Sequence, residues 1–243
     1  MAQNIYDDEE FFAAYSGLRR SVEGLDGAPE WPTLRSMLPQ MSGLRVVDLG
    51  CGFGWFVRWS AESGAAAVLG IDLSENMLAR AAASTDDTRV TYQRGDLDEI
   101  ELPPSAFDVA YSSLTLHYLV DLERFMATVH QSLVPGGVFV FSAEHPIYTA
   151  PSKPQFITDE TGHLTWPVDQ YLIEGPRTTE WLAPGVEKFH RTIGTYLTCL
   201  RGAGFVLENL CEWGPTAEQI AEHPEWSVEV ERPQFMLVGA RRP

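Results

Sequence analysis

Three aspartates and three histidines are the residues of this chain whose types and places could do chemistry. Asp48 and Asp72 each close a short apolar run, and Asp96 follows a third, so the carboxylates recur one strand-helix unit apart. A carboxylate at the mouth of a strand accepts both hydroxyls of a ribose more strongly than a neutral side chain does, and Asp72 at the end of Ala67–Asp72 is best placed for it. Around Asp48 the chain reads RVVDLGCGFGW. Glycines at 50, 52 and 54 let the backbone turn sharply where a side chain would block a ligand, and a helix from about Phe53 to Ser63 aims its N-terminus there. His117, His145 and His190 are the candidates to take a proton. His145 leads because Glu144 precedes it and Pro146 stiffens its turn. No two of the three stand at i, i+4, so a metal site is not expected.

These residues need a sheet to hold them. Arg45–Leu49 reads as a strand buried on both faces, Ala67–Asp72 as the second, Arg89–Gln93 as a third nearer the edge, and Ala106–Ser112 as the fourth. Ser74 caps a helix through Ala83, which carries Met77 toward a flat ring or into the core. Asp121–Leu133 is amphipathic, with Leu122, Phe125, Met126, Val129 and Leu133 on one face, and ends at the turn Pro135-Gly136-Gly137 before a fifth strand, VFVFS. From Glu144 to His190 the chain is irregular and dense in Pro, Gly, Trp and Tyr. An insertion at the carboxyl ends of parallel strands lies over the ligand crevice, and Tyr148, Trp166, Tyr171 and Trp181 would wall a second ligand or form a satellite core. A helix over His190–Leu200 leads to strands at Phe205–Leu210 and Gln234–Ala240, which lack a full crossover helix between them and so pair antiparallel. The fold class is α/β: a Rossmann-like doubly wound sheet of seven mostly parallel strands with an antiparallel last strand.

The set D-x-G-x-G-x-G from Asp48, Gly95-Asp96-Leu97 after the third strand, and L-x-P-G-G from Leu133 resembles the class I S-adenosylmethionine-dependent methyltransferases, and most closely their UbiE-like, type 11 small-molecule group. The resemblance covers most of the chain. It implies S-adenosylmethionine as cofactor and S-adenosylhomocysteine as product. It places Asp48, Gly50, Cys51 and Gly52 against the cofactor, Asp72 and Leu73 at the ribose, Met77 on the adenine face, and Asp96 and Leu97 at the adenine edge. Ser112 falls where residues flank the transferred methyl. An N-terminal helix over Asp8–Arg20 becomes a lid whose Tyr15 and Arg20 meet the methionine part. Tyr148, Trp166, Trp181 and His190 would bind the acceptor, with His145 or His117 as base. Ser112-Ser113-Leu114-Thr115 replaces the Asn/Asp-Pro-Pro-Tyr of DNA amine and protein glutamine enzymes, no Pro-Cys pair occurs, and a serine stands where metal-dependent relatives carry an acid. A metal-independent enzyme for a small-molecule acceptor is therefore expected. A binding module without turnover shares these motifs, and an NAD-dependent oxidoreductase is disfavoured because Trp55 replaces the third glycine of G-x-G-x-x-G.

Composition agrees. The 243 residues, 44% apolar and 21% charged, suit one domain over 1–243, with lid helices in 1–40 and the cap in 144–190. A net charge of -17 repels phosphates and argues against nucleic acid. Three cysteines without ligand spacing, an acidic start and no membrane-length apolar run predict a cytoplasmic protein. These residues leave the oligomeric state open.

Overall fold

Capping chemistry starts most of the helices where the sequence offers an acceptor. In the computed structural model, which describes residues 3–243, Asp8 accepts from Phe11 N–H to open α1 (Glu9–Ser16). Gly17 ends that helix, so the single helix expected over Asp8–Arg20 is two, the second being α2 (Arg19–Val22). Helix α3 (Trp31–Ser36) leads into β1 (Arg45–Leu49), α4 (Trp55–Glu62) and β2 (Ala67–Asp72). Ser74 caps α5 (Glu75–Ala83) through Met77 N–H. Strands β3 (Val90–Arg94) and β4 (Phe107–Ser113) follow, and Asp121 caps α6 (Leu122–Ser132). The turn expected at Pro135–Gly137 takes the form of a bulge inside β5 (Leu133–Glu144): Phe107 pairs with Leu133 but Val109 with Val138, Gly136 has φ +82°, and its N–H is bonded to Arg242 O.

Beyond β5 lies an excursion of α7 (Pro146–Thr149), a small hairpin of β6 (Ile157–Thr158) and β7 (Leu164–Thr165), and a longer one of β8 (Gly175–Trp181) and β9 (Ala183–His190). Helix α8 (Ile193–Gly202), β10 (Val206–Trp213), α9 (Ala217–Glu222) and β11 (Phe235–Arg241) complete the chain. The central sheet has seven strands in the order β10-β11-β5-β4-β1-β2-β3, parallel except where β11 pairs with β10 and β5. The antiparallel end and the edge position of β3 are as the sequence predicts.

Strand alternation divides the core. Val47, Leu49, Phe139 and Phe141 face one layer with α6 and α8, whereas Val46, Val138 and Val140 face the other with Trp31, Phe56 and Val57. Leu122, Phe125, Met126 and Val129 of α6 are fully or almost fully buried, each contributing about 1.5–3 kcal/mol by leaving water. This packing fixes β1, which lies between β4 and β2. Chain order reverses there, and a crevice opens at the carboxyl ends of the strands.

Candidate active site

At the carboxyl end of β1, Gly50 N–H and Cys51 N–H both donate to Ile71 O of β2, tying the glycine loop to the next strand. Gly50 has φ +85°, and a Cβ there would stand 2.2 Å from Thr115 Oγ1. Gly52, at φ +50°, is different: a Cβ would meet nothing within 4 Å, because it would project into open space. Gly52 N–H donates to Asp72 Oδ2 at 2.8 Å and Ser74 N–H to Oδ1 at 2.9 Å, so both oxygens of that carboxylate are oriented by backbone. Burial pushes the Asp72 carboxyl above its ordinary pKa, against the pull of those bonds. Asp48 is pushed up further by burial, with the charge of Asp72 adding. Cys51 is buried and its thiol is likewise held well above its usual value, which leaves it a poor nucleophile.

The space above Gly52 belongs to a cavity of about 510 Å³. Asp48, Gly50, Cys51, Gly52, Asp72, Leu73, Met77, Asp96 and Leu97 all line it, as do Tyr15 and Arg20. An oriented carboxylate, a cradle that a Cβ would fill, and the buried apolar walls of Met77 and Leu97 fit a nucleoside carrying a ribose diol and a flat base. Arg20 reaches the cavity, yet its guanidinium is held bidentately by Glu30 at 3.1 and 3.2 Å, and Glu30 is wholly buried. Tyr15 packs edge-on against Phe53 and Trp181.

The rest of the lining is largely aromatic, with Tyr6, Tyr118, Tyr148, Trp181, Trp213 and Phe235 together with His117 and Glu144. His117 Nδ1 accepts from Glu144 N–H at 3.3 Å, and burial lowers its pKa to about 4. At neutral pH the ring is uncharged with its proton on Nε2, a donor rather than a base. Lys188 Nζ donates to Glu144 Oε1 at 2.5 Å and lies 5.0 Å from the Trp181 ring centroid. Tyr6 O–H donates to Tyr118 Oη at 3.3 Å.

Five expected residues lie outside this lining, among them Tyr171, whose backbone carbonyl is bonded to His190. His145 caps α7, its Nδ1 accepting from Ile147 N–H and its Nε2 bonded to Glu212 Oε1, so neither ring nitrogen is left for an acceptor. His190 is spent in the same way, between Thr149 Oγ1 and Tyr171 O. Trp166 stacks behind Tyr148 at 5.5 Å, with the Arg232 guanidinium 4.2 Å from its ring. Ser112 donates to Leu49 O and is buried within the sheet, while strand alternation turns Ser113 to the cavity. Glu144, Glu30, Tyr6, Tyr118 and Lys188 were not legible as site residues. The one available signal was the place of Glu144 at the carboxyl end of a parallel strand. Among the described residues no three His, Cys, Asp or Glu side chains converge as a metal site.

Comparison with known proteins bears on this geometry. A family profile described as a methyltransferase domain matches residues 47–141, from within β1 to within β5. The crystal structure of an S-adenosylmethionine-dependent methyltransferase from Mesorhizobium loti is 60% identical, covering 90% of this chain and 100% of that one with a TM-score of 0.88. An uncharacterized protein of Haemophilus influenzae is 32% identical over 98% of this chain and 97% of its own length. A malonyl-[acyl-carrier protein] O-methyltransferase of Pectobacterium atrosepticum is 36% identical over 45% of this chain, which spans only 42% of that relative.

Proposed function

Because this chain belongs to the S-adenosylmethionine-dependent methyltransferases, we propose that its acceptor is a small molecule enclosed in the aromatic part of the cavity, under a cap formed by residues 144–190. The protein transfers a methyl group from S-adenosylmethionine and leaves S-adenosylhomocysteine. The observation that carries the acceptor reading is continuity: the cavity lined by Gly52, Asp72 and Asp96 is lined also by Tyr148, Trp181 and His117. In this reading Asp72 takes the ribose hydroxyls, with Leu73 beside it. Asp96 and Leu97 meet the adenine edge, Met77 its face, and Asp48 with Gly50–Gly52 the methionine part. Tyr15 closes over that part, and Arg20 holds the closing segment through Glu30. His117 Nε2–H orients the acceptor.

The bound cofactor supplies a methyl already activated as a sulfonium substituent. The protein's larger contribution is then alignment of the two reacting centres, worth about 7–11 kcal/mol against roughly 3–5 kcal/mol from a general base. The acidic net charge supports a partner that is not nucleic acid. Three free cysteines support a reducing, cytoplasmic setting. No helix among the described residues is long and apolar enough to cross a membrane.

The test is a thermal-shift comparison with S-adenosylmethionine, S-adenosylhomocysteine and NADH, beside Asp72→Ala. Ligand at a hundredfold excess over its dissociation constant stabilises by about 2.7 kcal/mol, or roughly 5–10 °C. Shifts by both adenosyl ligands, lost in the variant, agree with the site assignment. A shift by NADH alone refutes it.

A further inference from the structure

Glu144 ends β5 at the cavity wall, and its two oxygens have different fates. Oε1 is held by the Lys188 ammonium, whereas Oε2 is buried with no hydrogen-bond partner. A pair serving the fold alone does not account for this half-use, since a carboxylate oxygen removed from water without a donor is a cost that a well-packed apolar pair would not carry. Lys188 is itself buried, is absent from the cavity lining and lies against Trp181. It fixes Oε1 and leaves Oε2 without a donor in a residue that lines the cavity. The backbone of the same residue donates to His117 Nδ1, so the His117 donor and the Glu144 acceptor are held in one frame.

The charge of the cavity points the same way. Glu30, Asp48, Asp72, Asp96 and Glu144 line it, and so does Glu229, which is paired with Arg232. The arginines that line it, Arg19 and Arg20, are already paired with Glu23 and Glu30. An anionic acceptor would face carboxylates with no cation offered to it, and a carboxylate acceptor would bring lone pairs to the lone pairs of Oε2.

Resting on the methyltransferase reading of this cavity, we infer that the acceptor is an uncharged, flat molecule bearing a hydroxyl or amine, and that Glu144 is the catalytic residue which binds that group and takes its proton. The acceptor's oxygen or nitrogen lone pair forms the bond to the methyl carbon. The electron pair of the broken carbon–sulfur bond stays on sulfur, the O–H or N–H proton passes to Glu144 Oε2, and from there it leaves to solvent with the product. Tyr148 and Trp181 supply flat apolar walls for such a ring.

The experiment uses the full chain with radiolabelled S-adenosylmethionine and three probes at equal concentration, phenol, aniline and benzoate, in the wild type and in Glu144→Gln. The expected result is label in the phenol or aniline product and none in benzoate. Glu144→Gln should lower that turnover by about 100-fold or more, as loss of a positioned base does, while keeping the wild-type thermal shift with S-adenosylhomocysteine. Benzoate methylated as fast as the protic probes, no label in either protic probe, or turnover in Glu144→Gln within threefold of wild type overturns the inference. Because the thermal shift is read separately, its absence in the wild type defeats the cofactor site, and its presence without this acceptor pattern defeats only the role of Glu144.

Discussion

Replacing Asp72 with asparagine changes almost no volume and removes one acceptor oxygen and the charge. In the wild type Oδ1 receives Ser74 N–H and Oδ2 receives Gly52 N–H, and on the proposed assignment each oxygen also accepts from a ribose hydroxyl. In Asp72→Asn the amide nitrogen must face one of those N–H groups, donor against donor. One loop bond is lost, which lowers the stability of the free protein, while both ribose-hydroxyl contacts lose their charged acceptor. At about 1.5–3 kcal/mol for each charge-assisted bond, the losses at the two hydroxyl contacts together amount to about 3–6 kcal/mol, or roughly 10²–10⁴ in affinity. Isothermal titration with S-adenosylhomocysteine at pH 7.5 measures this directly. The wild type should also weaken as pH falls, since burial raises the Asp72 pKa and the acid form, which accepts fewer hydrogen bonds, appears at a higher pH than for a free aspartate. That limb should be absent in the variant. Binding by a folded Asp72→Asn within fivefold of wild type would show that the carboxylate does not hold the ribose.

Other outcomes follow from the same geometry. Gly52→Ala should fold, with a left-handed backbone cost of about 1–2 kcal/mol, yet lose S-adenosylhomocysteine binding because its methyl enters the cavity; Gly50→Ala adds a clash with Thr115 and should melt lower still in a thermal scan. Glu30→Gln leaves Arg20 without its counter-charge. A broken buried pair costs about 3–5 kcal/mol, and with the Arg20 side chain 22% exposed about 2–4 kcal/mol is expected, read as a lower urea midpoint. His117 titrates near 4 when folded and near 6.5 when unfolded. The unfolded chain therefore binds the proton first, and stability is lost as pH falls from about 6.5 toward 4. His117→Asn should remove about 3 kcal/mol of that loss from the pH dependence of urea unfolding.

Local chemistry was legible in the sequence; direction within the assembled site was less so. Asp72, Gly50 and Gly52 were readable because each closes or follows a short apolar strand run, where a carboxylate or a glycine turn is fixed by its nearest neighbours. Ser112 was displaced by a single residue, which on a pleated strand moves a side chain to the opposite face. His145 sits at the expected strand end, but its ring turned to cap α7, a choice settled by Glu212 from a distant strand. Lys188, the partner that makes Glu144 informative, comes from β9, and sequence spacing carries no trace of that pairing. Within the excursion, aromatic content predicted a wall but not its layers: Trp181 and Tyr148 line the cavity, whereas Trp166 backs Tyr148 under Arg232.

The N-terminal segment and the β8–β9 hairpin are joined to one another as well as to the sheet. Trp181 meets Phe11 and Tyr15 edge-on at 5.6 and 6.3 Å, while the Gln3 side chain donates to Gly185 O and accepts from Glu187 N–H. The segment that covers the glycine loop is thus fastened to the strand pair that carries Trp181 of the aromatic lining. Any displacement that lets a nucleoside pass Tyr15 must disturb Trp181, and with it the acceptor's enclosure. On the proposed assignment of the two sites, traffic through one doorway is mechanically tied to the integrity of the neighbouring chamber, and exchange of one ligand is expected to loosen the hold on the other.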